Sequence, residues 1–134
     1  MNRFPKFFLV TILLLAVFSA GQLATYADEA IGSVTVTANK TSYTGKCPTT
    51  IKFTGKIEVN KFPMSLNYHW ERSDGAKTAV KVVHVKKGTK TLTVVDTWKL
   101  GAAGKHVDGW VKLIVNSGNT HITSDPANFT LDCK

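Results

Sequence analysis

Between residues 50 and 59 the chain alternates without a break. Ile51, Phe53, Gly55, Ile57 and Val59 fall on one side, and Thr50, Lys52, Thr54, Lys56 and Glu58 on the other. Successive side chains of an extended strand point to opposite faces, so this stretch can bury its apolar set only as a half-covered β-strand. Wound as a helix, it would scatter the same residues around the axis. The period returns at residues 33–37 and at residues 64–72, where Met64, Leu66, Tyr68 and Trp70 oppose Asn67, His69 and Glu71. It returns again at 90–100, with Leu92, Val94, Trp98 and Leu100 inward, and at 109–115, where Val111, Leu113 and Val115 oppose Trp110, Lys112 and Ile114. At 127–133, Phe129, Leu131 and Cys133 share a side. Residues 78–86 are extended but carry valines on both faces, which leaves their parity open. Asp96 interrupts an inward face and predicts a bulge or an edge position.

Turn chemistry separates these runs at residues 39–45, Phe62-Pro63, Ser73-Asp74-Gly75, Lys87-Gly88-Thr89, 101–108 and 116–119. No stretch repeats every 3.6 residues. Seven short alternating strands in about 100 residues predict an all-β, antiparallel two-sheet sandwich, with a small closed barrel as the alternative.

The chain opens differently. Arg3 and Lys6 precede an apolar run from Phe7 to Ala20, followed by small residues and then Asp28-Glu29. That pattern predicts an export signal over residues 1–27, with Thr25 and Ala27 at the cleavage pockets, and a domain over 28–134. An uncleaved membrane anchor is the alternative, but the run is short for a membrane span, and with residues 1–27 removed no stable insertion is expected. The chain's net charge of +8 falls to +6 without the signal. Cys47 and Cys133 are its two cysteines, and an even count in an oxidising compartment predicts a disulfide closing a long loop.

The run Gly45-Lys46-Cys47-Pro48-Thr49-Thr50-Ile51-Lys52-Phe53-Thr54-Gly55-Lys56-Ile57, then Tyr68-His69-Trp70 and Arg72-Ser73-Asp74-Gly75, resembles small immunoglobulin-like domains of secreted bacterial proteins. Trp98, Gly109-Trp110, Phe129-Thr130 and Cys133 fit the same picture, so the resemblance spans residues 33–133. It implies an immunoglobulin-like β-sandwich of about seven strands, a fold that serves adhesive, carbohydrate-binding and spacer modules alike. In that topology the second and last strands run in opposite senses, which brings Cys47 and Cys133 to one pole. The cysteines flank the sandwich instead of bridging its centre, so Trp70 need not pack on the disulfide.

Catalytic signatures are missing from the sequence: there is no nucleophile elbow, Walker loop, zinc-protease helix or dinucleotide fingerprint. Glu58, Glu71, Asp74, Asp96, Asp108, Asp125 and Asp132 are dispersed, and His69, His84, His106 and His121 fall on different elements. Neither set has the spacing of a catalytic pair or a metal site, so the expectation is no enzyme, no cofactor and no metal. Lysines alternate along strands and arginines number only two, which reads as solvated cover and as loose attraction to anionic wall polymers, not as a nucleic-acid surface.

One face stands out. In the immunoglobulin-like order the strands holding Trp70, Trp110 and Phe129 are neighbours, and their outward residues include Asn67, His69, Trp110, Lys112 and Ile114. A tryptophan and an isoleucine among polar groups on an open sheet make a candidate ligand face, provided a one-residue shift does not turn Trp110 inward. The sequence thus predicts a secreted, monomeric, non-catalytic binding module for carbohydrate or cell-wall polymer, free or wall-associated. A protein-interaction module of adhesin, inhibitor or effector type is the alternative.

Overall fold

A computed structural model describes residues 30–62 and 64–134; the expected export signal lies outside them. Among the described residues there are nine strands and no helix: β1 Ile31–Ala38, β2 Ser42–Gly45, β3 Thr49–Val59, β4 Met64–Arg72, β5 Lys81–Val85, β6 Thr91–Leu100, β7 His106–Ser117, β8 Thr120–Thr123 and β9 Ala127–Cys133. They form two sheets, β1-β3-β6 and β2-β9-β7-β4-β5, with β8 added alongside β7. Both sheets have open edges, which excludes the barrel. The result is an immunoglobulin-like sandwich.

The predicted alternation sets the layers. Ile51, Phe53 and Ile57 of β3 face Leu66, Trp70, Val111, Leu113, Val115 and Leu131 of the other sheet in one continuous core. Burying each such side chain contributes roughly 1.5–3 kcal/mol. Trp70 packs away from the disulfide: its Cη2 atom would stand 3.0 Å from a Cβ at Gly55, and Leu113 Cδ2 only 2.5 Å. Position 55 is glycine because two large side chains from the opposite sheet occupy the space beside it.

Two short strands depart from expectation. Residues 39–45 read as a turn, yet β2 lies there and runs parallel to β9, with Ser42 opposite Thr130 and Gly45 opposite Cys133. The chain leaves β1, which pairs with β3, and crosses to the other sheet; Asn39 holds the crossing through its N–H to Lys52 O (2.9 Å) and its Oδ1 to Lys52 N–H (2.8 Å). Likewise β8 lies just past the turn at 116–119, in residues to which the periodicity assigns no strand. The valine-rich segment is shorter than predicted, and its parity resolves: Val85 is buried, while Val80 and Val82 are 60% and 64% exposed.

Asp96 faces inward without a bulge, since β3 and β6 pair in unbroken register from Thr49↔Leu100 to Glu58↔Thr91. The expected edge position holds, because β6 ends its sheet. The carboxylate is met by Arg72 from the facing sheet, Nη2 to Oδ2 3.0 Å, and the guanidinium lies over the Trp98 ring at 5.2 Å. At the same pole Cys47 and Cys133 are joined, with Cα atoms 5.4 Å apart.

Candidate functional site

Strand β7 is the centre of the larger sheet. β4 flanks one side of it; β9 and then β8 share the other. Along β7 the outward residues run His106, Asp108, Trp110, Lys112, and across on β9 stand Asp132, Thr130 and Asn128. Trp110 is directed outward, half-buried, opposite Asn128.

Around it is an open groove of about 340 Å³ lined by Thr41, Ser73, Asp108, Trp110, Asn128 and Thr130, with Gly109 and Phe129 beneath. Backbone hydrogen bonds fix the walls. Ser73 N–H donates to Trp110 O (3.0 Å), and Trp110 N–H donates to Ser73 Oγ (3.2 Å). Thr130 N–H donates to Thr41 O (3.0 Å), which ties the crossing segment to the groove. Lys112 lies over the Trp110 ring, Nζ 4.7 Å from its centroid, a contact worth roughly 0.5–1 kcal/mol at an exposed site. The floor is rigid: Phe129 packs at 5.8 Å from Phe53 and edge-on to Trp98 at 5.7 Å.

At the groove's end His106 sits between two carboxylates, Nδ1 to Asp132 Oδ1 2.6 Å and Nε2 to Asp108 Oδ2 3.0 Å. The hydrogen bond to Asp132, and next the one to Asp108, raise the His106 pKa above its usual 6.5. On the far side of Lys112, Glu71 Oε1 meets His69 Nε2 and Lys77 Nζ, both at 3.3 Å. The His69 contact, ahead of the opposing effect of burial, holds Glu71 below the usual 4.5.

The predicted face therefore divides. Trp110 lines the groove, and Lys112 lies over its ring without lining the groove itself. Ile114, expected outward and available, is only 3% exposed, because it lies mid-sheet with His69 of β4 on one flank and Thr123 of β8 on the other. His69 is committed to Glu71, and Asn67 Oδ1 accepts from Asn116 Nδ2 at 3.2 Å, so neither reaches the groove. Thr41, Ser73 and Asp108 were missed. They sit in segments that read as loops, and only the crossing of β1 into β2 and the early start of β7 bring them beside Trp110.

No known protein family matches the chain, and no curated protein matches it. Among solved structures it is similar to the CARDB domain of a Pyrococcus furiosus protein, determined in complex with di-metal ions. The TM-score is 0.55 and the identity 9%, with 81% of this chain and 100% of that chain covered. At that identity the likeness establishes the fold: this is an immunoglobulin-like β-sandwich module. Among the described residues no group of three or more His, Cys, Asp or Glu side chains is arranged to hold a metal ion.

Proposed function

We propose that the protein is an exported, non-catalytic module that binds carbohydrate, a glycan or cell-wall polymer, in the groove at Trp110. The observation that carries this reading is an outward tryptophan bordered by Thr41, Ser73, Asp108, Asn128 and Thr130. An indole plate stacks on the C–H face of a sugar, while hydroxyl, carboxylate and amide groups around it bond the sugar's hydroxyls. A glycosidase would need two carboxylates facing each other across the bound linkage, whereas Asp108 alone lines this groove. The Cys47–Cys133 bridge supports an oxidising destination.

The test is cosedimentation with chitin, cellulose and purified cell walls at low and high salt. Trp110→Ala is expected to abolish salt-insensitive retention on one of them while leaving Tm near wild type. Retention unchanged by Trp110→Ala, or a large fall in Tm, refutes the reading. A protein-interaction role has its own support in the exposed Val80 and Val82 beside the open β5 edge, where a partner strand could add. Failure to bind all three polysaccharides turns attention to that edge.

A further inference from the structure

Both ring nitrogens of His106 are engaged at once. β9 sets Asp132 directly opposite His106 and Thr130 opposite Asp108, so the imidazole and the two carboxylates meet on the outward face of the larger sheet. Nδ1 lies 2.6 Å from Asp132 Oδ1, and Nε2 lies 3.0 Å from Asp108 Oδ2. A carboxylate only accepts, and a neutral imidazole carries a single N–H, so both contacts are hydrogen bonds only while the ring is protonated. Loss of that proton leaves one N–H for two carboxylates. The shorter contact, to Asp132, keeps it, and the Nε2 lone pair then faces the Asp108 oxygen.

Little else steadies Asp108. Residues 106–109 pair with β9 alone, because β4 ends at Arg72, opposite Val111. The Asp108 side chain is 72% exposed, and His106 is its one side-chain partner among the described residues. Trp110 stands two residues along the same face, about 7 Å away, and Asp108 is the single charged side chain that lines the groove. The other charges nearby are Lys105, whose carbonyl accepts from Cys133 N–H (3.0 Å), Lys46 and Lys134, brought together by Lys134 N–H donating to Gly45 O (2.8 Å), Asp74 next to Ser73, and Lys112 beyond Trp110. Among the described residues none of these is paired with His106, Asp108 or Asp132.

We propose that protonated His106, braced by Asp132, is a positioning residue that holds the Asp108 carboxylate at the groove wall as the acceptor for a sugar hydroxyl, and so makes binding depend on pH. The inference rests on the carbohydrate reading of the groove. Binding is then strongest in mildly acid buffer and falls as pH rises through the His106 value, which Asp132 and then Asp108 raise above the usual 6.5. Because the three side chains are exposed, the fall is about two- to five-fold.

The test is cosedimentation of the protein with chitin, cellulose and purified cell walls from about pH 6 to about pH 9, with Tm and circular dichroism checking that each variant is folded. His106→Gln is expected to flatten the profile. His106→Arg keeps a charge between the two carboxylates at every pH of the series, so it should sustain retention at the alkaline end. Asp132→Asn removes the larger cause of the raised value and should move the fall toward pH 6.5. Retention that Trp110→Ala abolishes, but whose pH profile is the same in wild type and His106→Gln, would overturn the positioning role and leave the carbohydrate reading standing. Alkaline loss undiminished in His106→Arg would do the same. No retention on any of the three materials at any pH would overturn both.

Discussion

Replacing Gly109 by alanine tests how the groove's floor is built. Position 109 lacks the positive φ seen at several other glycines, so backbone strain is not at issue. In an open strand, Gly→Ala gains roughly 0.5–1 kcal/mol by restricting the unfolded chain. Here a Cβ would stand 2.4 Å from Phe129 Cζ and 3.0 Å from its Cε1 and Cε2. The Phe129 ring cannot swing aside freely, because Phe53 and Trp98 pack against it. Overfilling a packed core costs about 1–3 kcal/mol. The overpacking term wins, giving a net loss of about 1–2 kcal/mol and a fall in Tm of roughly 5–10 °C for a domain of this size. Thermal unfolding followed by circular dichroism measures it, in the wild type and in a Phe129→Leu background. The shorter side chain frees the space, so the cost of Gly109→Ala should shrink there by about 1 kcal/mol. An unchanged or higher Tm for the single variant would refute the packing argument, as would an identical cost in both backgrounds.

Asp96→Ala is expected to cost about 1–3 kcal/mol by leaving the Arg72 guanidinium, 21% exposed, without its carboxylate. The double variant Arg72→Met, Asp96→Leu should cost less than the two single changes summed, as denaturant melts of all three would show. His106 binds its proton more tightly in the folded state, so its contribution is complete below pH 6.5 and lost as pH rises through the raised folded value. His106→Gln should remove that part of the decline in Tm between mildly acid and alkaline buffers. Glu71 works in reverse: its contribution is present above pH 4.5 and disappears as pH falls through the lowered folded value, so Glu71→Gln should flatten the acid limb.

Much of this architecture was legible because burial writes itself into alternation. The inward sets of β3, β4, β7 and β9, the adjacency of the last three, the disulfide and the outward Trp110 all follow from period two and the immunoglobulin-like order. Elements held by backbone pairing left no such mark. β2 offers only Tyr43 as a large apolar residue, and β8 only Ile122, because each is ordered by the strand beside it. The inward Asp96 could not be explained locally, since Arg72 reaches it from the other sheet. The groove was half readable: Trp110 and Lys112 announce themselves, whereas Thr41, Ser73 and Asp108 are ordinary loop residues until the strands bring them together. Ile114 shows the limit of parity, which gives the direction of a side chain but not what covers it.

The bond between Cys47 and Cys133 also decides how the domain answers tension. A pull applied between Ala30 and the backbone beyond Cys133 meets the bridge before it meets most of the strands. Load passes through sulfur from Cys47, just after β2, directly to Cys133, so everything from Pro48 to Asp132 is bypassed. Stretched while oxidised, the domain can peel only β1 and β2 from their sheets; after reduction the whole sandwich becomes extensible.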